Sequence, residues 1–334
     1  MSVDAYLLLW ILVSVTTVCF LGKPIALHLR IMDVPGGRKD HAGLVPLVGG
    51  TAFVVGLLPV LYFLLPDSKI ALTIIVSTFM LYLMGLHDDR TDMRPVFRLL
   101  FTLGVFSIAI AVNPSLYLEY LSLTTAQKPI FIGLTGIILT PIALTAFLNA
   151  LNMTDGKNGI VLGSSLIWCF AMASVAPESM FNLFQLVGLV LVVLLLFNLK
   201  DKLFIGDSGA YAVSSFWGLM AVYLYSLNME TVTVDLIYLW FAIPFLDAIR
   251  LLFGRIVEGK SPFSGDRDHL HHLIYDSVSD RKVGLVFYMA MVSFPIWWAH
   301  CFPNFTLTIL LIVSGFYIAL ITRLKHNLSK KSQV

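Results

Sequence analysis

The sequence predicts an all-α, polytopic integral membrane protein of about eleven transmembrane helices, with a periplasmic N-terminus and a cytoplasmic C-terminus. Three observations lead there. Hydrophobic residues fill 58% of the 334 positions and charged residues only 13%, far from the balance of an ordinary soluble domain. Apolar runs of spanning length recur along the whole chain. The basic residues, finally, gather in alternate loops.

Taken in order, the apolar runs lie near 5–22, 47–65, 70–87, 97–112, 130–148, 159–176, 181–197, 208–226, 234–253, 283–300 and 305–322. The first has no basic stretch ahead of it and is long enough to span, so it reads as a helix and not as a cleaved signal. Only the turn "PESM" at 177–180 separates the sixth run from the seventh. Short loops retain their basic residues on the cytoplasmic side. With the N-terminus outside, the inner loops hold Lys23, Arg30, Arg38 and Lys39, then Arg90, Arg94 and Arg98, then Lys157, Lys200 and Lys202, then Arg250 through Lys282, and last the tail "RLKHNLSKK". Lys69 and Lys128 alone, two of 22 basic residues, fall outside. The polar loops near 23–46, 86–98, 149–158, 198–207 and 254–282 thus share the cytoplasmic face of one domain, 1–334.

Several function classes drop out at this stage. A net charge of +2 says little about partners, and no nucleic-acid partner is expected. Cys19, Cys169 and Cys301 are scattered and odd in number, which supports neither a disulfide framework nor a thiolate metal site. There is no internal repeat, no low-complexity linker and no soluble domain.

Five stretches carry chemistry. "HDDR" places Asp88 and Asp89 at the inner end of the third helix, where paired carboxylates bind a hard cation or accept a proton; the plainer reading is a solvated helix boundary. In "FLNALNMTDGKNG" the residues Asn149, Asn152 and Asp155 recur every three positions and so share roughly one helical face ahead of Gly156. Amides hydrogen-bond a base or sugar edge, and a glycine admits close backbone approach; helix capping explains one or two of these residues but not all. "FIGDSG" sets Asp207 between glycines at the start of the eighth helix, either as an N-cap or as a carboxylate on a thin backbone suited to Mg²⁺. Asp247 and Arg250, at i and i+3 in the ninth helix, read equally as a functional pair or as a mutual ion pair that eases insertion.

The fifth stretch is "SPFSGDRDHLHHLIYD", 261–276, where Arg267, His269, His271 and His272 could clamp phosphates by charge-assisted donation. Zinc fits poorly there. Histidines at i, i+2 and i+3 do not line one helix face, and no cysteine is near.

"HDDR", "NALNMTDG", "FIGDSG" and "PFSGDRDHLHH", in this order and on one membrane face, resemble the polyprenyl-phosphate N-acetylhexosamine-1-phosphate transferases over essentially the whole chain. "GLVPLVGG" and "SPFSGDRDHLHHL" are most similar to the bacterial branch that works with undecaprenyl phosphate and UDP-GlcNAc. The resemblance implies attack of a lipid phosphate on the β-phosphate of a UDP-sugar, yielding lipid-diphosphate-sugar and UMP with Mg²⁺, or Mn²⁺ in its place. It implies a multi-pass protein of the bacterial inner membrane that starts O-antigen or enterobacterial common antigen synthesis; assembly up to a homodimer is left open. Asp207 and Asn152 then correspond to metal ligands, and Asp88 and Asp89 to paired catalytic acids, with Asp88 the candidate to take the proton of the lipid phosphate. That phosphate, with a second pKa near 6, is already largely ionised at neutral pH, which leaves a base little to do. A two-step route through an aspartyl-phosphate is the alternative.

Asn149, Asn152, Asp155 and Asn158 are expected on the substrate, with Asn158 standing where many bacterial members carry the second acid of "DGxDG". Eukaryotic dolichol-linked relatives also use asparagine there, and an amide can accept from uracil N3–H while donating to a carbonyl. Two other readings compete: the phospho-N-acetylmuramoyl-pentapeptide transferase of peptidoglycan synthesis, and, from another class, a transporter or flippase. Transporters place ionisable groups near mid-membrane, whereas here they collect at one surface.

Overall fold

A computed structural model describes residues 2–34, 43–261, 268–278 and 280–331. All eleven expected segments are helical, but not all are full-length. Helix α1 (Val3–Phe20) is followed by the short α2 (Gly22–Leu29), a two-residue antiparallel ladder of β1 (Met32–Asp33) with β2 (Val45–Pro46), and α3 (Gly49–Leu64). Then come α4 (Ser68–Thr91), α5 (Pro95–Val112) and a second small ladder of β3 (Tyr120–Leu121) with β4 (Ile130–Phe131). The chain continues through α6 (Thr135–Thr154), α7 (Ile160–Ala173), α8 (Phe181–Asn198) and α9 (Gly206–Leu227). Last are α10 (Val234–Trp240), α11 (Ala242–Val257), α12 (Leu270–Ser277), α13 (Arg281–Cys301) and α14 (Thr306–Lys331).

Among the described residues, eight helices are long and apolar enough to cross a membrane, and nine if α10 and α11 count as one span. The difference from eleven lies in three segments, two too short and one broken. At 1.5 Å per residue, α3 (16 residues) and α7 (14 residues) reach only about 24 Å and 21 Å, short of a hydrocarbon core of about 30 Å. The segment predicted as 234–253 is broken at Phe241, where α10 and α11 meet at 80°. A turn of 3₁₀ helix at Glu178–Met180 does separate α7 from α8, as "PESM" suggests.

The centre of the bundle is α9, whose side chains are buried without interruption from Ser208 to Tyr225. A helix apolar on every side has to be surrounded. Its small residues Gly209, Ala210, Ala212, Ser214 and Ser215 let α3, α4 and α6 pack closely against it. Helix α4 starts under the Asp67 carboxylate, which accepts from the amides of Lys69 and Ile70 at 2.8 and 3.0 Å. Its far end arrives beside the first turn of α9.

Candidate active site

The site grows out of that meeting. Gly85, Asp88 and Asp89 lie at i, i+3 and i+4 on α4 and so face one neighbour. A Cβ at Gly85 would stand 2.5 Å from Ser208 Cα, so only glycine lets α4 press on the backbone of α9 here. The contact sets Asp89 over the helix start: its Oδ1 accepts from the Asp207 amide at 2.8 Å and its Oδ2 from the Ser208 amide at 3.1 Å. The sequence alone offers Asp207 as that cap. The structure supplies it from another helix, which leaves the Asp207 carboxylate free to face outward.

"GLVPLVGG" has a local job as well. Phe204 N–H donates to Pro46 carbonyl at 3.0 Å, Gly49 N–H to Phe204 carbonyl at 3.0 Å and Gly50 N–H to Ile205 carbonyl at 3.2 Å, stitching the approach to α9 onto β2 and α3. Side chains at Gly49 or Gly50 would collide with Ile205 and Gly209 backbone. Gly206 then turns the chain with φ +66°, a left-handed conformation that favours glycine.

Around this corner opens a cavity of about 520 Å³. Of the residues predicted for the site, Asp89, Asp155, Asn158, Asp207 and His272 line it. Asp155 follows the last residue of α6, and burial together with the Asp89 charge pushes its carboxyl up to about 8. Three carboxylates converging on one cavity repel each other, and a hard divalent cation relieves that strain. The donor set therefore suits Mg²⁺. Among the described residues no group of three ligands is already gathered to the spacing of a bound ion.

Other predicted residues sit behind the cavity. Asp88 is buried and committed within the protein, with Oδ1 accepting from Met93 N–H at 2.8 Å and Oδ2 from Arg98 at 2.9 Å and Tyr211 at 3.1 Å. Asn149 donates back to the Thr145 carbonyl of its own helix at 2.8 Å, and Asn152 is not among the lining residues. Asn158 is held at both ends, donating to Asp201 at 2.6 Å and accepting from Asn198 at 3.1 Å. Its neighbour explains the departure from an acid: a carboxylate at 158 would face Asp201 across a hydrogen-bond distance, whereas an amide donates to it.

The histidines divide in function. His269 pairs with Asp247 (Nδ1 to Oδ2, 3.1 Å), and His272 reaches the cavity. Between them His271 is 1% exposed, neither ring nitrogen has a partner, and burial with its two imidazole neighbours holds its pKa well below the usual histidine value. Gly156 is a glycine for this reason, since a Cβ there would stand 2.1 Å from His271 Nε2. Arg267, along with 262–266, lies outside the described residues.

Sequence reasoning missed part of the lining: Asp33, Asp201, Tyr275, Arg281 and Lys282. Arg281 and Lys282 begin α13 directly after the histidine segment, and Lys157 stands over the Tyr275 ring at 5.7 Å. The available signal was a basic pair closing the most charged loop of the chain.

Aspartates and basic residues thus meet in one cavity at an end of a multi-pass helical bundle. Residues 71–225 match the model of Glycosyl transferase family 4, a span holding Asp88, Asp89, the 149–158 motif and Asp207. The chain is 31% identical over 281 residues to the undecaprenyl-phosphate alpha-N-acetylglucosaminyl 1-phosphate transferase of Yersinia pestis, covering 76% of this chain and 72% of that protein. Against the protein of the same description from Escherichia coli strain K12 it is 27% identical over 340 residues, covering 92% and 88%. Against that of Haemophilus influenzae it is 28% identical over 282 residues, covering 75% and 74%. The chain belongs to the polyprenyl-phosphate N-acetylhexosamine-1-phosphate transferase family.

Proposed function

We propose that this protein transfers N-acetylglucosamine-1-phosphate from UDP-GlcNAc to undecaprenyl phosphate, releasing UMP, on the cytoplasmic face of the bacterial inner membrane. The product would prime a lipid-linked polymer of the O-antigen or enterobacterial common antigen kind. One observation carries the reading: Asp89, Asp155 and Asp207 share a cavity at a membrane end with Lys157, Arg281 and Lys282. A soluble nucleotide diphosphate needs cations and a metal site, and a lipid phosphate needs both at the membrane surface.

In this reading Asp207 and Asp155, which share the cavity, would hold Mg²⁺; Asn152, the amide that the resemblance pairs with Asp207, does not line the cavity. When bound, the ion neutralises diphosphate charge and stabilises charge moving onto the UMP leaving group. Asp89 acts differently. Both its oxygens accept backbone amides, so it fixes the helix start that presents Asp207. Asp88 does not line the cavity, and its oxygens accept from Met93, Arg98 and Tyr211. A lipid phosphate with a second pKa near 6 needs little help from a base at neutral pH, so the attack can proceed with Asp88 as the anchor of Arg98.

The test is UMP release by purified, membrane-reconstituted protein with undecaprenyl phosphate and, in turn, UDP-GlcNAc, UDP-GalNAc and UDP-MurNAc-pentapeptide, with Mg²⁺ present or chelated. Turnover with UDP-GlcNAc that disappears on chelation and returns with Mg²⁺ supports the reading. Preference for the pentapeptide donor, or turnover indifferent to chelation, overturns it.

A further inference from the structure

Asp247 was read from sequence as either a functional acid or half of an ion pair that eases insertion; its surroundings show a third role. The side chain is buried in α11, and its Oδ1 accepts from Arg250 Nη2 at 2.8 Å, Tyr317 hydroxyl at 2.7 Å and the Leu270 amide at 3.1 Å. Leu270 is the first residue of α12, so Asp247 satisfies an otherwise unpaired amide of the helix that carries the histidines. Its Oδ2 meets His269 Nδ1 at 3.1 Å. Tyr317, 1% exposed on α14, also accepts from Arg250 Nε at 2.9 Å, while Lys325 of the same helix donates to Asp268 Oδ2 at 2.7 Å and Arg250 bonds the Asp268 carbonyl.

From this anchor a line of contacts runs to the cavity. The His269 and His271 rings stack at 5.4 Å, the His271 and His272 rings lie 4.2 Å apart, and His271 rests on Gly156 beside Asp155. Tyr317 is not among the residues that line the cavity. A buried ionic cluster of this kind is a poor device for stability alone, since apolar residues of equal volume often serve as well or better. What it does supply is geometry, by fixing where α12 starts and how His269 is turned.

We infer that Tyr317 and Asp247 are positioning residues through which the C-terminal helix α14 holds the histidine segment, and thereby His272 and the 155–157 turn, in place for the nucleotide-sugar donor. This rests on the donor-binding reading of the cavity given above. Tyr317→Phe tests it, because it removes one hydroxyl and keeps the ring.

In full-length reconstituted protein the variant is expected to lower kcat/KM for the UDP-sugar by roughly fivefold or more, mainly through KM. KM for undecaprenyl phosphate and the thermal unfolding midpoint should hold. Amide hydrogen exchange should quicken across Leu270–Ser277 and not across the central helix α9. Asp247→Asn, which keeps the shape but weakens the hold on His269 and Arg250, should exceed Tyr317→Phe in both readouts. Wild-type donor kinetics in both variants, unchanged exchange at 270–277, or equal losses for both substrates with a lowered unfolding midpoint would each overturn the inference. Should the wild-type chain reject UDP-GlcNAc, the proposed function fails, and the positioning is then read on whichever UDP-sugar it does use.

Discussion

Two cavities open at opposite ends of this bundle, and the larger one is chemically quiet. Helix α9 begins at the first with Gly206 and Asp207 and ends beside the second, near Met229; α13 begins at the first with Arg281 and Lys282 and ends at the second with Ala299 and His300. The second cavity measures about 1150 Å³, twice the 520 Å³ of the first. Among the described residues its wall holds two ionisable side chains, Glu230 and His300, against five aspartates, three Lys or Arg residues, His272 and Tyr275 on the first. Size is the usual guide to a ligand site. Here convergence of opposed charges is the better one, because an apolar void between helices is ordinary in a membrane whereas gathered carboxylates require a reason.

If the two ends face different compartments, a label will tell them apart completely. Single cysteines replacing Asp92, Lys200 or Lys330, in a background lacking the three native cysteines, should react only from the cytoplasmic side, and those replacing Asp67, Glu119 or Glu230 only from outside. All six positions are exposed. Gly156 is unsuitable as a probe, since any side chain meets His271. Labelling of Asp92 and Glu230 positions from the same side would break the two-ended picture and the single-face site with it.

Next in size is Asp207→Asn, expected to abolish turnover at the acidic end. Mg²⁺ holds few protein ligands and keeps several waters, so each charged oxygen counts heavily. Near-normal UMP release from correctly inserted Asp207→Asn protein would remove the metal assignment.

Gly85→Ala should act through packing and not through chemistry. The added methyl meets Ser208 Cα and Asp207 carbonyl, backbone atoms that cannot swing aside, and overpacking of this kind costs about 1–3 kcal/mol. Asp89 would lift from the α9 amides at the same time, so activity should fall with the unfolding midpoint. Gly104 of α5 is the matched control: nothing lies within 4 Å of its missing Cβ, and alanine there should leave both measurements unchanged.

How legible all this was in the sequence follows from the kind of interaction involved. The helical segments were readable because burial in lipid is a property of composition. Their lengths were not: Pro244 in "YLWFAIPF", which cannot donate to the Trp240 carbonyl, is a local cue to the break at Phe241, but the unbroken apolar run masks it, and the 80° angle is set only when α11 packs on α6 as well as on α13 and α14. In the site, the Asp89, Asp155 and Asp207 set could be found by type and spacing. The division between Asp88 and Asp89 could not, because adjacent residues on a helix point about 100° apart and only the position of α9 decides which one faces the cavity. Arg281 and Lys282 were legible only as a basic pair closing a charged loop, because the fold and not the local sequence turns them toward the aspartates.

Lys282→Ala should have a moderate effect. The residue is exposed at the rim, so a charge-assisted contact to a donor phosphate, worth roughly 1.5–3 kcal/mol in a dry setting, will be partly screened here. KM for the UDP-sugar is expected to rise about threefold to tenfold at low salt, and the gap to wild type should narrow as ionic strength increases. A salt-independent change would mean that Lys282 supports the fold of α13 instead of meeting a phosphate.

The smallest effect belongs to the larger cavity. Gln127 and Thr231 lie on its wall, both are exposed, and neither forms part of the Asp235 and Thr124 hydrogen bonds that tie the β3–β4 connection to α10. Truncating either to alanine removes polar atoms that water already satisfies, and such surface changes usually stay within about 0.5 kcal/mol. If the chemistry is confined to the charged end, Gln127→Ala and Thr231→Ala should keep kcat and both KM values within about twofold of wild type, since that energy corresponds to little more than a factor of two. A larger rise in KM for undecaprenyl phosphate alone, with the UDP-sugar KM unmoved, would show that the outer cavity takes part in handling the lipid. The contrast between the two ends would then be one of substrate and not of activity.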